Sequence, residues 1–450
     1  MTSGRTAHWG TFDAERWWRP HDLAVLPAVT MPGGRSAVDA MDELLAGFCR
    51  PGDVLVTRHP VADVVRDGLA ACGITFEPYA VSPAPGTADR PDPGTADGPA
   101  LSTADGPPVT VDAMIAADPA ARERIAACEE WQPYAVLPDT AALAARLGGP
   151  DRLPPVSVVA EVNSKTWSDG LVRKRGLPGA ARVVRSAGEL EAAVLECGFP
   201  AVVKDPYGVS GRGALELTTP GVLAAVRRAV GRQEAKGRRV ELLVQPVYPK
   251  RCDFSGHLAV APGGRATVLG VQTMSNRGFR HMGSQPADPG LTAVLMRAGY
   301  FDVLAEVADA LADAGYWGPA GVDSMLLDDG TLIPVLEINA RHSLGLLSLR
   351  LDEQAREHGL RCRLRQLDLA VPEGADIGTL CAELRRAGCR YGGGPHPGAA
   401  VLAGSTLAAP GGRVHCALFS RPDDADRLER QVLAAVSAAG MRPRGEEHAA

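Results

Sequence analysis

The spacing of apolar residues changes along this chain, and each change marks an element. From Pro51 to Ala80 the pattern predicts one β–α–β unit. Asp53 to Thr57 is a strand run, Val61, Val64, Val65 and Leu69 recur at helical spacing, Gly73 is a stop, and Ile74 to Phe76 starts a strand again. A strand at Leu23 to Leu26 and a helix at Ala37 to Phe48 join the same layer. The layer resumes at Thr110, with a strand at Ala135 to Leu137 and a helix at Thr140 to Leu147. Residues 1–150 are therefore expected to form a doubly wound α/β domain. Ser82 to Pro108 interrupts it with an imperfect Gly-Thr-Ala-Asp repeat rich in Pro, Gly, Ala and Asp. Such a segment buries too little apolar surface to offset its ordering entropy, so a disordered insertion is expected at about 82–108.

A second region, 151–350, alternates helices with longer strands. Ser186-x-x-Glu189 is a capping-box pattern ahead of Leu190, Val194 and Cys197. Thr219-Pro220 opens a helix carrying Leu223, Val226 and Val230 on one face. Strands are predicted at Glu241 to Val247, His257 to Val260 and Ala266 to Thr273, and a helix from Phe301 to Ala314 stops at Gly315. Residues 351–450 predict strand Leu367 to Val371, helix Ile377 to Arg386, strand Val414 to Phe419 and helix Asp423 to Ala439. That order suggests a small α+β domain whose sequence names no chemistry, and completing the substrate pocket, building a dimer contact or neither role would fit it. The overall class is α/β and α+β.

The segment Gly321 to Ser343 carries the most chemistry. Two apolar strands flank Asp328-Asp329-Gly330, a hairpin turn signal. The first strand holds Asp323. The second holds Glu337 and Asn339, two apart and therefore on one face. Two carboxylates and an amide oxygen are hard ligands that suit Mg²⁺, which keeps part of its shell for water and phosphate. A solvated hairpin face would show the same residues.

A second chemical segment runs from Phe199 to Leu217. Ala201 to Val203 is a buried strand run ending in Lys204, and Gly208, Gly211 and Gly213 follow in a loop that also holds Ser210 and Arg212. A strand at Ala214 to Leu217 comes after. Glycines let backbone N–H groups approach phosphate oxygens, while Lys204 and Arg212 supply positive charge. The loop opens no helix and lacks Gly-Lys-Ser/Thr, which excludes a Walker loop.

In this order and separation the two segments resemble the ATP-grasp superfamily, over about Asn163 to Leu349. The resemblance implies an N-terminal doubly wound domain, a two-subdomain nucleotide-binding core and a C-terminal α+β domain. It further implies that ATP binds with two Mg²⁺ (Mn²⁺ an alternative) on Asp323, Glu337 and Asn339, under a lid from Gly208 to Gly213. Lys204 would contact the nucleotide's α-phosphate. Lys165, at the start of a helix ending before Gly176-Leu177-Pro178, would be a second phosphate contact, with Lys174 as competitor. Glu241 to Val247 resembles the strand that holds the adenine edge, with Gln245 where many members have an acidic residue and Val247 beyond it. Asp253 falls near the ribose or substrate. Arg341 would neutralise the transferred phosphate, and His342 beside it also suits a satisfied loop histidine.

The stretch Ser275 to Gly283 is polar and cationic. Arg277, Arg280 and His281 could hold a substrate carboxylate by two-point guanidinium contacts, or pair with nearby Asp288. The expected activity is an ADP-forming carboxylate–amine ligase acting on amino acids or short peptides, with an acyl-phosphate intermediate. A phosphotransferase, a carboxylase-type enzyme or a non-catalytic nucleotide-binding regulator would share the scaffold.

At 450 residues the chain predicts two to four domains. Its net charge of −6 and lack of a long basic tract argue against nucleic acid as a general partner. The nine cysteines show no CxxC spacing and suit a reducing compartment. The sequence shows neither a signal-peptide core nor a run of eighteen apolar residues, so a cytoplasmic chain without membrane contact is expected. A homodimer remains open.

Overall fold

The computed structural model describes residues 4–27, 38–81, 109–208, 213–407 and 412–444. The insertion at 82–108 and the loop residues Ser210, Gly211 and Arg212 lie outside the described residues.

Four parallel strands form the N-terminal sheet: β1 (Thr6–Trp9), β2 (Val54–Thr57), β3 (Glu77–Ala80) and β4 (Glu130–Pro133), in the order β3-β2-β1-β4. The inner strands β1 and β2 are buried at every position, as parallel strands covered on both faces must be. The helix Asp63–Ala71 crosses from β2 to β3. The strand expected at Ile74 to Phe76 begins three residues later. Ile74 instead closes the helix end, its N–H bonding the Leu69 carbonyl at 3.0 Å. The strand that follows can contain Pro78 because it is an edge. The strand expected at Ala135 to Leu137 lies earlier, at β4. Leu23 to Leu26 forms only an isolated bridge, Leu23 to Arg239, and the helix expected through Phe48 is a 3₁₀ helix over Met41–Phe48.

A smaller antiparallel sheet follows, ordered β5-β8-β6-β7 from β5 (Arg182–Val184), β6 (Ala201–Lys204), β7 (Ala214–Leu217) and β8 (Leu242–Pro246). Helices Ala187–Cys197 and Pro220–Glu234 cover it, and Leu190, Val194, Leu223, Val226 and Val230 share a core with Val203 and Val244. Ser186 and Thr219 cap these helices as their positions predict.

The third sheet has nine strands: β9 (Lys250–Val260), β10 (Ala266–Arg277), β11 (Arg280–Pro286), β12 (Gly318–Leu327), β13 (Leu332–Asn339), β14 (Arg361–Ala370), β15 (Gly398–Val401), β16 (Gly412–Ser420) and β17 (Arg442–Pro443). The main path runs β13-β12-β9-β10-β11-β14-β16-β15, and β17 pairs with β14. The strands beyond residue 350 thus continue the central sheet, joined where Gly283 and Ser284 pair with Arg365 and Leu364. Helix Leu344–Arg356 packs across β10, β11 and β14 at this join. The supposed loop Ser275 to Gly283 is the tip of the β10–β11 hairpin, turning at Gly278. No helix among the described residues is long and apolar enough to cross a membrane.

Candidate active site

Backbone register across three strands builds the acidic half of the site. Asp323 on β12 stands opposite Ser255 on β9 and opposite Glu337 on β13. The next row on the same face is His257, Gly321 and Asn339. With no side chain at Gly321, Asn339 reaches diagonally to Asp323. Asp323 accepts from Ser255 Oγ at 2.9 Å and from Asn339 Nδ2 at 3.1 Å. Burial, with Glu337 beside it, pushes the Asp323 carboxyl up to about 6, against the pull of Ser255, Arg341 and Lys165.

The basic half arrives from two other elements. Ser164 caps the helix Lys165–Lys174, and the Lys165 backbone N–H bonds the Pro206 carbonyl at 3.0 Å. Lys165 Nζ then lies 2.9 Å from Glu337 Oε1 and 2.5 Å from the Gly208 carbonyl. Its competitor Lys174 is exposed at the far end of the same helix. Lys204, last in β6, is drawn into the same field. Burial lowers its ammonium to about 8, and Lys165 adds to that, while Glu337, Asp323 and Asp253 oppose it.

The glycine loop leaves this cluster through a narrow neck. A Cβ on Gly208 would sit 2.3 Å from the Gly213 Cα, and one on Gly213 would sit 2.2 Å from the Gly208 Cα. Only glycine lets the two backbones pass so closely. Asp205 N–H bonds the Gly213 carbonyl at 2.6 Å, and Gly208 N–H bonds the Asp205 carbonyl at 3.2 Å, which closes the neck.

Other sequence-predicted residues are engaged elsewhere. Arg341 is buried. Its Nε lies 2.9 Å from Glu15 Oε1, a second nitrogen also bonds Glu15, and that nitrogen donates to Asn339 Oδ1 at 2.9 Å. Its guanidinium lies 5.5 Å from the Tyr134 ring centre. Burial disfavours its charge, but Glu15 outweighs that, and the proton is held more tightly than usual. His342 is the satisfied histidine, its Nδ1 3.1 Å from the Pro133 carbonyl and its ring edge-on to Phe48. Gln245 donates its Nε2 to the Gly179 carbonyl at 2.6 Å, and the Val247 N–H bonds the Pro200 carbonyl at 3.2 Å. Asp253 accepts from Lys250 at 2.6 Å and from Asn276 at 2.8 Å.

Arg280 does not pair with Asp288, which caps the helix Pro289–Arg297. It pairs instead with Asp368 on β14 at 2.7 Å, and Arg413 shares that carboxylate at 3.1 Å. Arg277 reaches toward the Arg444 carbonyl at 3.5 Å. His281, held near Ser284 at 3.1 Å, is kept neutral by burial and by Arg365 and Arg413, at about 4.

Two site partners escape the sequence patterns, Ser255 and Glu15. Ser255 lies two residues beyond Asp253 on one strand, so alternation alone would have placed it on the site face. Glu15 lies 326 positions from Arg341, and nothing in its local sequence announces that pairing.

The donor set fits the implied metal in part. Asp323 and Glu337 are adjacent, hard and mutually destabilising, the condition a divalent cation relieves. No group of three His, Cys, Asp or Glu side chains suited to a metal occurs among the described residues. Mg²⁺ on two carboxylates would give its remaining positions to water and phosphate. Asn339 gives its oxygen to Arg341 and its nitrogen to Asp323, so it supports the pair rather than completing it in this arrangement.

No family model matches the chain. The architecture is similar to the ADP complex of an N5-carboxyaminoimidazole ribonucleotide synthetase, with 12% identity, TM-score 0.54, and 89% of this chain and 95% of that one covered. The corresponding synthetase of Thermus thermophilus gives 15% identity and TM-score 0.52 over 96% and 98% of the two chains. The chain has the ATP-grasp fold. The biotin carboxylase domain of the Hydrogenobacter thermophilus 2-oxoglutarate carboxylase shares the ATP-grasp fold, at 13% identity and TM-score 0.50 over 96% and 90%. By sequence, 196 residues are 28% identical to the [butirosin acyl-carrier protein]–L-glutamate ligase of Niallia circulans, 42% of this chain and 45% of that one. The chain thus matches less than half the length of that relative.

Proposed function

We propose that the chain is an ATP-dependent carboxylate–amine ligase. The observation that carries this reading is the convergence of Lys165 and Lys204 on the Asp323–Glu337 pair beside the neck of the glycine loop. In an ATP-grasp scaffold that combination suits a triphosphate, and the sequence relative is by name a ligase of L-glutamate and an acyl-carrier protein.

In the proposed reaction a substrate carboxylate oxygen attacks the γ-phosphorus of ATP. The bond to the β-phosphate oxygen breaks, leaving ADP and an acyl phosphate. An amine then attacks the acyl carbon, and inorganic phosphate leaves with the C–O electron pair as the amine loses a proton. Bound Mg²⁺, held by Asp323 and Glu337, would supply charge neutralisation at the phosphates. Lys165 and Lys204 place positive charge where the phosphoryl group passes. Lys165 must exchange Glu337 and the Gly208 carbonyl for phosphate oxygens. Gly208 and Gly213 flank the segment whose Ser210, Gly211 and Arg212 the resemblance assigns to the phosphates. Arg341 acts through Asn339, setting the amide that buttresses Asp323. Arg277 and Arg280 would serve the acid substrate only by leaving the Arg444 carbonyl and Asp368.

The substrates are assigned as an amino acid or short peptide and an amine. The name of the relative favours one specific variant, in which one partner is tethered to a carrier protein. The test is incubation with MgATP, pooled amino acids and hydroxylamine. Hydroxamate with ADP and phosphate supports the ligase. ADP with a phosphorylated product and no free phosphate indicates a phosphotransferase, turnover that requires bicarbonate a carboxylase, and no turnover a regulator.

A further inference from the structure

A second concave site lies outside this cluster, between the N-terminal segment and the turn after helix Pro220–Glu234. It is a cavity of about 380 Å³ lined by the cationic side chains Arg16, Arg19, Lys236 and Arg238 and by His21. Among the described residues no carboxylate lines it. The nearby Asp22 is turned to Arg239, 3.2 Å away. This concentration of positive charge belongs to a chain of net charge −6, so it is local.

The walls are held from both sides. Gln233 clamps the Val25 backbone, accepting from its N–H at 2.9 Å and donating to its carbonyl at 2.8 Å. Ala24 N–H bonds the Arg239 carbonyl at 2.9 Å. A concavity of this volume is within the range of small-molecule sites. Guanidinium forks and an ammonium group match phosphate oxygens.

Arg19 also joins the cavity to the catalytic region. Its guanidinium pairs with Asp205 and with the Ala24 carbonyl. Asp205 holds the neck of the glycine loop through its backbone, and its Oδ1 accepts from Tyr207 N–H at 2.9 Å. An anion in the cavity would compete with Asp205 for Arg19.

We propose that this cavity binds a phosphate-bearing small anion, separately from the triphosphate, and that Arg19 and Asp205 couple its occupancy to the glycine loop. The binding half is independent of the ligase reading, whereas the coupling half rests on the loop serving a nucleotide. Occupancy would change nucleotide affinity, and nucleotide would change anion affinity by the same factor.

Inorganic pyrophosphate is the probe, titrated calorimetrically into protein saturated with Mg²⁺ and a non-hydrolysable ATP analogue. One equivalent is expected to bind, with affinity at least tenfold lower in Lys236→Glu/Arg238→Glu, whose changes are at exposed positions and leave thermal unfolding in place. In the same samples, hydrogen exchange over residues 204–215 is expected to change on adding pyrophosphate to wild type and not to the double variant. Absence of binding, or equal binding by the variant, overturns the site. Binding without an exchange difference overturns the coupling. Pyrophosphate uptake that the double substitution weakens, in a chain taking up no ATP analogue, leaves this site standing and removes the ligase reading instead.

Discussion

Lys165 Nζ lies 2.9 Å from Glu337 Oε1, joining the start of a helix to the end of a hairpin across 172 positions of sequence. The pair holds the cationic and anionic halves of the site together. Lys165→Met removes a phosphate contact and leaves Glu337 to face Asp323 with less compensation. Turnover of MgATP is expected to fall by about 10²-fold or more, with the fold retained by circular dichroism. Unchanged turnover would remove Lys165 from the reaction.

Arg341 and Glu15 form the other long-range pair. Removing one partner of a buried ion pair strands the other charge, at a cost of about 3–5 kcal/mol. Glu15→Gln and Arg341→Met are each expected to lower stability by that order in denaturant unfolding. Glu15→Gln/Arg341→Met should recover part of it, because neither variant charge remains buried alone. A coupling near zero would mean that the pair does not hold the N-terminal helix against the Asn339 strand.

These two pairs mark what the sequence could and could not disclose. Asp323, Glu337 and Asn339 are legible because strand alternation and a DDG turn are local rules. The start of the Lys165 helix is legible in the sequence, whereas the choice of Lys165 over Lys174 rests on the family resemblance. The use of Arg341 is not, since its partner lies 326 residues away and long-range ion pairs leave no periodic signal. The pairing of Arg280 is hidden for a similar reason, as its partner Asp368 comes from a strand that adds to the central sheet from beyond residue 350. The start of β3 differs from expectation because Ile74 to Phe76 has strand composition, while the position of the pairing is set by the neighbouring strand β2.

The loop neck makes a steric prediction. Alanine at Gly213 would bring Cβ within 2.2 Å of the Gly208 Cα, so one backbone must move. Gly213→Ala is expected to raise the KM for ATP about tenfold, with a smaller effect on unfolding, since the strain falls at a loop rather than in the core. Kinetics equal to wild type would show that the neck is not needed for nucleotide binding.

Buried histidine sets one pH dependence. Burial, with His8 nearby, lowers His342 to about 4, below its ordinary 6.5. The unfolded chain therefore binds more protons between those values. The stability associated with neutral His342 is present above pH 6.5 and is lost as pH falls through about 4. His342→Gln should lose less stability than wild type between pH 7 and pH 4.5, by on the order of 2 kcal/mol in denaturant midpoints read as free energies. Parallel curves would contradict a neutral buried ring.

Whether Asp323 and Glu337 carry the chemistry is decided by ADP formation from MgATP in Asp323→Ala/Glu337→Ala, measured beside wild type with acid substrate and hydroxylamine present. Wild type is expected to give ADP and hydroxamate, and the double variant at most about one-thousandth of that rate. Equal rates from a folded double variant would contradict an acidic pair that holds the nucleotide's metal.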